Sequence, residues 1–462
     1  MTDETETTDA PRESHERLSP DFVRNVLDLV EAGDVEAARD KVEPLHPADI
    51  ADLVELTPAD RRRALAAAIA GLIDGDVLAE MNDWVREDLI DALEPHEVAD
   101  IAAELDTDDA VSIIEDMDDE DQRAVLRALD PDDRAAIEEA LSFPEESAGR
   151  LMQRDLIAVP EHWTVGDVLD YLRGDDDLTT DFWEIFVVDP AHKPVGACAL
   201  SWILRTPRNV AIADVMKREQ TLIPVAMDQE EVALLFQKYA LISAAVVDDS
   251  GRLVGMVTVD DIVHIISEEA GEDALLLSGA GDGDINEPIR DTYTSRVRWL
   301  IANLFTALLA SFIIAQFGAA IEQMVALAVL MPIVASIGGN AGTQTMAIVV
   351  RALATNQLTQ SNTIRTIKRE ILVALLNGGT IAVLIGLGAG LVFGNAALGG
   401  VIAAAMVINI LVAGLAGVLV PLALDRMKQD PAVSSSVFVT MVTDSMGFFA
   451  FLGLAVAVGL TG

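Results

Sequence analysis

Cysteine is almost absent, with Cys198 the single example. One thiol excludes an intrachain disulfide and any cysteine-ligated zinc or iron–sulfur centre. Histidine is nearly as sparse: all six residues (His15, His46, His96, His162, His192 and His264) precede residue 290. The remainder therefore has no imidazole for a metal site or for Ser-His chemistry. Positive charge is scarce too, 31 Lys plus Arg against 76 Asp plus Glu, with only 6 lysines. Such a surface repels phosphate backbones, so no nucleic acid is expected as a partner. Neither a glycine-rich phosphate loop nor a nucleophile–base pair is present, and no enzyme is expected. No apolar run follows the polar start MTDETETTDAPRESHERLSP, which argues against a cleavable signal peptide.

What is abundant is apolar residues. The hydrophobic fraction is 51% and the mean hydropathy +0.34, although the formal charge is -45. The two properties must be segregated along the chain. Residues 1–289 hold 70 acids and 22 bases, and residues 290–462 hold 6 acids and 9 bases. Carboxylates spread over the whole first part suit a protein adapted to molar salt, where charge is screened over about 3 Å. A subset of them suits divalent cations, whose preferred ligands are carboxylate oxygens.

Five long apolar stretches follow, at about 297–317, 321–350, 371–394, 397–424 and 433–460. Each exceeds the ~20 residues that a helix needs to cross a bilayer core. All nine bases of this part fall on one side: Arg290, Arg296 and Arg298 before the first stretch, Arg351, Arg365, Lys368 and Arg369 after the second, Arg426 and Lys428 after the fourth. The positive-inside rule then makes the acidic half cytoplasmic and puts the C-terminus outside.

A charge inside the bilayer costs about 2.5–3.5 kcal/mol on insertion scales, so an intramembrane acid points to function. Asp444 is that acid. Ser436, Thr440 and Asp444 recur at i, i+4 and i+8, one helical stripe of two hydroxyls and a carboxylate. The second stretch carries Pro332, Gly338, Gly339 and Gly342 beside the polar Asn340, Thr343, Gln344 and Thr345. Those residues weaken a helix at its centre and predict irregular backbone whose freed carbonyls line a polar path. A close-packed contact through the Gly338/Gly342 pair is the competing reading. One carboxylate per chain is a sparse site for an octahedral ion, and a twofold homodimer with facing fifth helices would double it.

GGNAGTQTMAIVVRALAT in the second stretch and DPAVSSSVFVTMVTDSMG in the fifth resemble the signature segments of the MgtE family of magnesium transporters and channels. The likeness runs from about Leu18 to Leu460. Two departures keep an oxygen ligand: Thr343 stands where many relatives have an amide, and Ser436 where an Asn is frequent. The resemblance implies Mg2+ as cargo and a pore site of Asp444, Thr440, Ser436 and Asn340.

Before the membrane part, LHPADIADLVELTPADR and LEPHEVADIAAELDTDD repeat with a 48-residue offset between Pro47 and Pro95. Each opens with Pro and acids, as a helix start does, and stacked hairpins follow as the economical architecture. The stretches from Leu151 and from Val215 alternate strand and helix alike, with strands expected at 185–188, 194–200, 244–247 and 253–258 and a helix at 229–239. They resemble cystathionine-beta-synthase (CBS) repeats, which in pairs often bind adenine nucleotides. Beyond them lie the acids Asp260, Asp261, Glu268, Glu269, Glu272 and Asp273 and a Gly-rich joint. In the family, the equivalent segment is a connecting, or plug, helix that closes the pore when cytosolic Mg2+ bridges carboxylates. The resemblance maps Asp261, Glu269, Glu272 and Asp273 onto sensor positions, while His264 replaces an acid.

The expected architecture is multidomain. It comprises a disordered acidic N-terminus (1–20), an α-helical N-terminal domain of superhelical hairpins (21–148) and an α/β tandem CBS pair (149–212 and 213–266). A connecting helix and joint (267–289) lead to an all-α transmembrane domain of five helices (290–462). The expected function is a homodimeric Mg2+ channel or transporter of the cell membrane, importing Mg2+ and closed by it. The alternatives are a proton- or sodium-coupled transporter of another divalent cation, or a membrane-anchored nucleotide sensor.

Overall fold

The computed structural model describes residues 12–14, 17–91, 93–115, 117–174, 182–279, 285–358 and 361–461. The acidic N-terminus, apart from a short strand pair at Arg12–Ser14 and Arg17–Leu18, and residues 280–284 of the Gly-rich joint lie outside them. Contacts divide the chain into two units, residues 1–267 and 268–462.

In the first unit, helices from Pro20–Glu31 to Pro131–Leu141 share one hydrophobic core. The 48-residue repeat shows in the caps. Val35–Val42 and Asp83–Ile90 are capped by Asp34 and Asn82, and Pro47–Glu55 and Pro95–Ala102 each begin at their Pro. Ile50, Leu53, Val54 and Val98 are buried, as their helical spacing predicts. Arginine, not lysine, closes the helix ends: the buried Arg62 donates from Nε to the Val54 carbonyl at 3.3 Å and from Nη2 to the Thr57 carbonyl at 3.4 Å. Its planar fork satisfies two terminal carbonyls at once.

The paired repeats follow with equal topology. In each, a short parallel strand joins an antiparallel pair: Ala158–Pro160, Glu184–Val188 and Pro194–Ala199, then Leu222–Pro224, Ser243–Val247 and Leu253–Thr258. The helix Gln229–Tyr239 forms where its spacing places it. Both pairs shift register at matching points, Val187/Val188 and Val246/Val247. The halves also exchange edges. Gln153 bridges to Met256, and Lys217 to Ala197. Gly255 and Gly196 make room, since a Cβ on either would lie 2.7 Å from the sulfur of Met152 or Met216.

A continuous helix, Val259–Ser278, leaves the last strand, so no break in secondary structure separates the second repeat from the expected connecting helix. It ends at Gly279, whose φ of 71° is the left-handed conformation that glycine adopts freely.

Five helices in the second unit are long and apolar enough to span a membrane: Ile289–Ala315, Val325–Ala354, Thr363–Val392, Ala396–Arg426 and Pro431–Ala457. They are called the first to fifth spans below. The fourth is the most enclosed, 61% of its most apolar window being buried against 6% for the first. Its glycines allow this, because a Cβ on Gly399 would lie 2.5 Å from the Gly386 carbonyl oxygen of the third span. Small residues are what bring helix backbones together where lipid supplies no hydrophobic drive.

Candidate pore and regulatory site

The fifth span starts at Pro431, with the Asp430 side chain accepting from the Ala432 N–H at 2.7 Å. Ala432, Ser435, Val439, Thr443 and Gly447 form its buried seam. Ser436, Thr440 and Asp444 each follow a seam residue by one position, so their stripe is turned by ~100° and lies half-buried along the seam's edge. The three expected residues are thus together. Asp444, the fourteenth of 27 residues, has no ion pair or hydrogen-bond partner among the described residues.

The second span corrects one expectation. It is a continuous 30-residue helix through Pro332 and its glycines, with no irregular backbone at its centre. The packing reading of the glycine pair is the right one. A Cβ on Gly342 would sit 2.6 Å from Val439 and 3.3 Å from Thr443, and one on Gly338 would strike Asn409. The glycines are spent on close approach to neighbouring helices, which compensates for their poor helix propensity. Thr343 bonds back to the Gly339 and Asn340 carbonyls, both at 3.1 Å. Asn340 is exposed and lies ~200° around the helix from Gly338 and Gly342. Within one chain, the ridge that meets the fifth span does not carry it.

Two polar residues of this half escaped the sequence reading. Asn409 is fully buried in the fourth span. Glu370 is 6% exposed in the third, with the Thr345 hydroxyl donating to it at 3.4 Å. The charged run that precedes Glu370 made it read as a surface acid. Below both signature helices, Leu276 and Leu277 of the helix Val259–Ser278 pack with Met346, Val350, Ala432 and Val439.

Among the regulatory candidates, Asp260, Glu268 and His264 are exposed and Glu269 and Glu272 half-buried. The side chain of Asp273 lies outside the described ones. Asp261 accepts from the Thr258 hydroxyl at 2.7 Å and faces Asp108 and Asp109. Burial, then the Asp261 charge, pushes Asp108 well above the usual carboxylate range and Asp109 up to about 6. Burial likewise raises Asp261 to about 6, against the Thr258 hydrogen bond that lowers it. The Asp108 Oδ1 has no hydrogen-bond partner among the described residues. Three half-buried carboxylates, Asp108, Asp109 and Asp261, thus face one another. Asp108 and Asp109 were not named as sensors from sequence, although they open the helix Thr107–Glu115 of the N-terminal helical domain. No group of three or more His, Cys, Asp or Glu side chains among the described residues is already arranged to hold a metal ion.

Comparison with known proteins places this geometry. Residues 331–454, which hold both signature segments, match the MgtE divalent cation transporter family. Residues 45–146 match the MgtE intracellular N domain and 212–268 a CBS domain. The magnesium transporter MgtE of Bacillus subtilis is 31% identical over 319 residues, 69% of this chain and 70% of that protein.

The chain belongs to the MgtE family. The MgtE of Thermus thermophilus is 33% identical over 319 residues, 68% of this chain and 70% of its own. A solved structure described as the cytosolic domain of the Mg2+ channel MgtE in complex with ATP is 28% identical, covering 53% of this chain and 99% of its own at a TM-score of 0.48. This MgtE chain is therefore a membrane protein with a helical N domain, a CBS pair and five apolar helices. The first repeat lies outside the CBS match and is recognised by its strand order, which equals that of the second.

Proposed function

We propose that this protein is a homodimeric channel that carries Mg2+ into the cell along its fifth spans. The observation that carries the reading is Asp444, a carboxylate with no partner among the described residues, halfway along an apolar helix and in line with the hydroxyls of Thr440 and Ser436. Mg2+ gives up water reluctantly, so a few oxygens around a largely hydrated ion suit it. Asn340, exposed on the second span, adds an amide oxygen where two chains meet. A cell interior held negative draws the ion inward, at about 2.3 kcal/mol per charge for each 100 mV. The basic connections support an inward N-terminal half and an outward C-terminus. Asp444→Asn should abolish Mg2+ uptake in a magnesium-auxotrophic host. Wild-type uptake by that variant refutes the assignment.

Closure by cytosolic Mg2+ is the second part of the proposal. Repulsion among Asp108, Asp109 and Asp261 opposes docking of the N domain on the second repeat, and a bound cation removes it. Mg2+ thereby selects the docked state by its higher affinity for it. The helix Val259–Ser278 carries Asp261 near one end and packs Leu276 and Leu277 beside the second and fifth spans at the other. Asp260, Glu268, Glu269, Glu272 and Asp273 along the same helix are further regulatory ligands in this reading. Neutralising Asp261, Glu269, Glu272 and Asp273 together should leave the pore open at Mg2+ levels that close the wild type in patch recordings, and unchanged closure removes the assignment. An adenine nucleotide at the CBS pair completes the ligand set, and a flat calorimetric titration with ATP would strike it out.

A further inference from the structure

Asn409 is completely buried in the fourth span. Its Nδ2 donates to the Val334 carbonyl of the second span at 2.8 Å, while its Oδ1 has no hydrogen-bond partner among the described residues. A buried polar atom left unmet costs about 1–3 kcal/mol, so an apolar side chain would serve mere packing better. Two glycines show what the amide does instead. A Cβ on Gly338 of the second span would lie 2.1 Å from Nδ2, and a Cβ on Gly447 of the fifth would lie 2.7 Å from the same atom. The amide is clasped between the two helices that hold the signature segments. Gly447 is three residues, less than one turn, beyond Asp444.

We propose that Asn409 is a positioning residue whose amide sets the separation of the second and fifth spans at the level of Asp444, and with it the discrimination among divalent cations. The inference rests on Asp444 being the pore carboxylate. Mg2+ demands near-octahedral oxygens at short distance, whereas Ca2+ accepts a looser and larger shell. A shift of a fraction of an ångström between the two helices therefore acts on selection before it acts on passage.

The test uses the full chain in proteoliposomes, with Mg2+ and Ca2+ fluxes measured side by side for wild type and Asn409→Ala. The expected result is a Mg2+/Ca2+ flux ratio lowered ~tenfold with Ca2+ flux retained. An unchanged ratio, or an equal fall in both fluxes, overturns the proposal. A second measurement needs no transport. Gly338→Ala should lower the melting temperature in detergent, because its methyl meets the amide, and the Asn409→Ala background should remove most of that loss. Equal losses in the two backgrounds overturn the clasp. Asp444→Asn measured alongside separates the readings: full flux in that variant defeats the pore assignment, while the clasp is still judged by the double-mutant cycle.

Discussion

Asp444 and Asp261 are the same side chain in different surroundings. Asp444 lies midway along an otherwise apolar helix, between Thr443 and Ser445 and in line with the hydroxyls of Thr440 and Ser436 one and two turns away. Asp261 sits among other acids, and its charge is the largest charge effect on both Asp108 and Asp109. An acid whose pKa is raised in the docked arrangement holds its proton more tightly there than when exposed. Docking is therefore favoured at low pH, and that advantage is lost as pH climbs from the ordinary carboxylate range near 4 through about 6. In Mg2+-free buffer, a fluorescence distance between the N domain and the second repeat should be shorter at about pH 5 than at about pH 7.5. Asp109→Asn with Asp261→Asn should flatten that profile, and a wild-type profile already flat would count against the cluster as a cation site. Asp261 was named from sequence because the family resemblance maps it onto the regulatory segment that follows a recognisable strand. Asp108 and Asp109 were not, since only folding brings residues 150 positions away against it.

Elements whose signal is local were read well. The antiparallel strand pair of each CBS repeat and the helix Gln229–Tyr239 lie within a residue of where they were expected, while the short parallel strands Ala158–Pro160 and Leu222–Pro224 were not foreseen. Five spans were expected, and among the described residues five helices are long and apolar enough to be them. The second span was misread at its centre for a physical reason. Glycine and proline weaken an isolated helix, but here each buried glycine admits a neighbouring helix, and tertiary packing overrides propensity. The same principle gives a prediction for the fourth span. A Cβ on Gly417 would lie 2.7 Å from the Gly342 carbonyl oxygen, a backbone atom that cannot turn aside. Gly417→Ala should therefore destabilise the bundle by about 1–3 kcal/mol, read as a lower melting temperature in detergent. A variant as stable as wild type would show that the second and fourth spans are not so close.

Along the whole chain the charge is segregated, with acids crowding residues 1–289 and residues 290–462 almost neutral. If most of that acidity is an adaptation to concentrated salt, screening should stabilise the chain. The melting temperature of the chain should then rise steadily as KCl is raised to about 2 M, where screening shortens to a few ångströms. A melting temperature that falls over the same range would assign the acids elsewhere.

The sequence by itself determined the layout: an acidic helical and CBS part, five long apolar helices with bases in alternate connections, and one acid, Asp444, midway along the last. These follow from composition, run length and period, which are properties of neighbouring residues. Only the tertiary structure decided that the second span is unbroken, that Asn409 is clasped between two glycines, and that Asp261 meets Asp108 and Asp109. Those depend on how closely distant helices approach, and that distance is set by side-chain volume at contacts the chain order does not reveal.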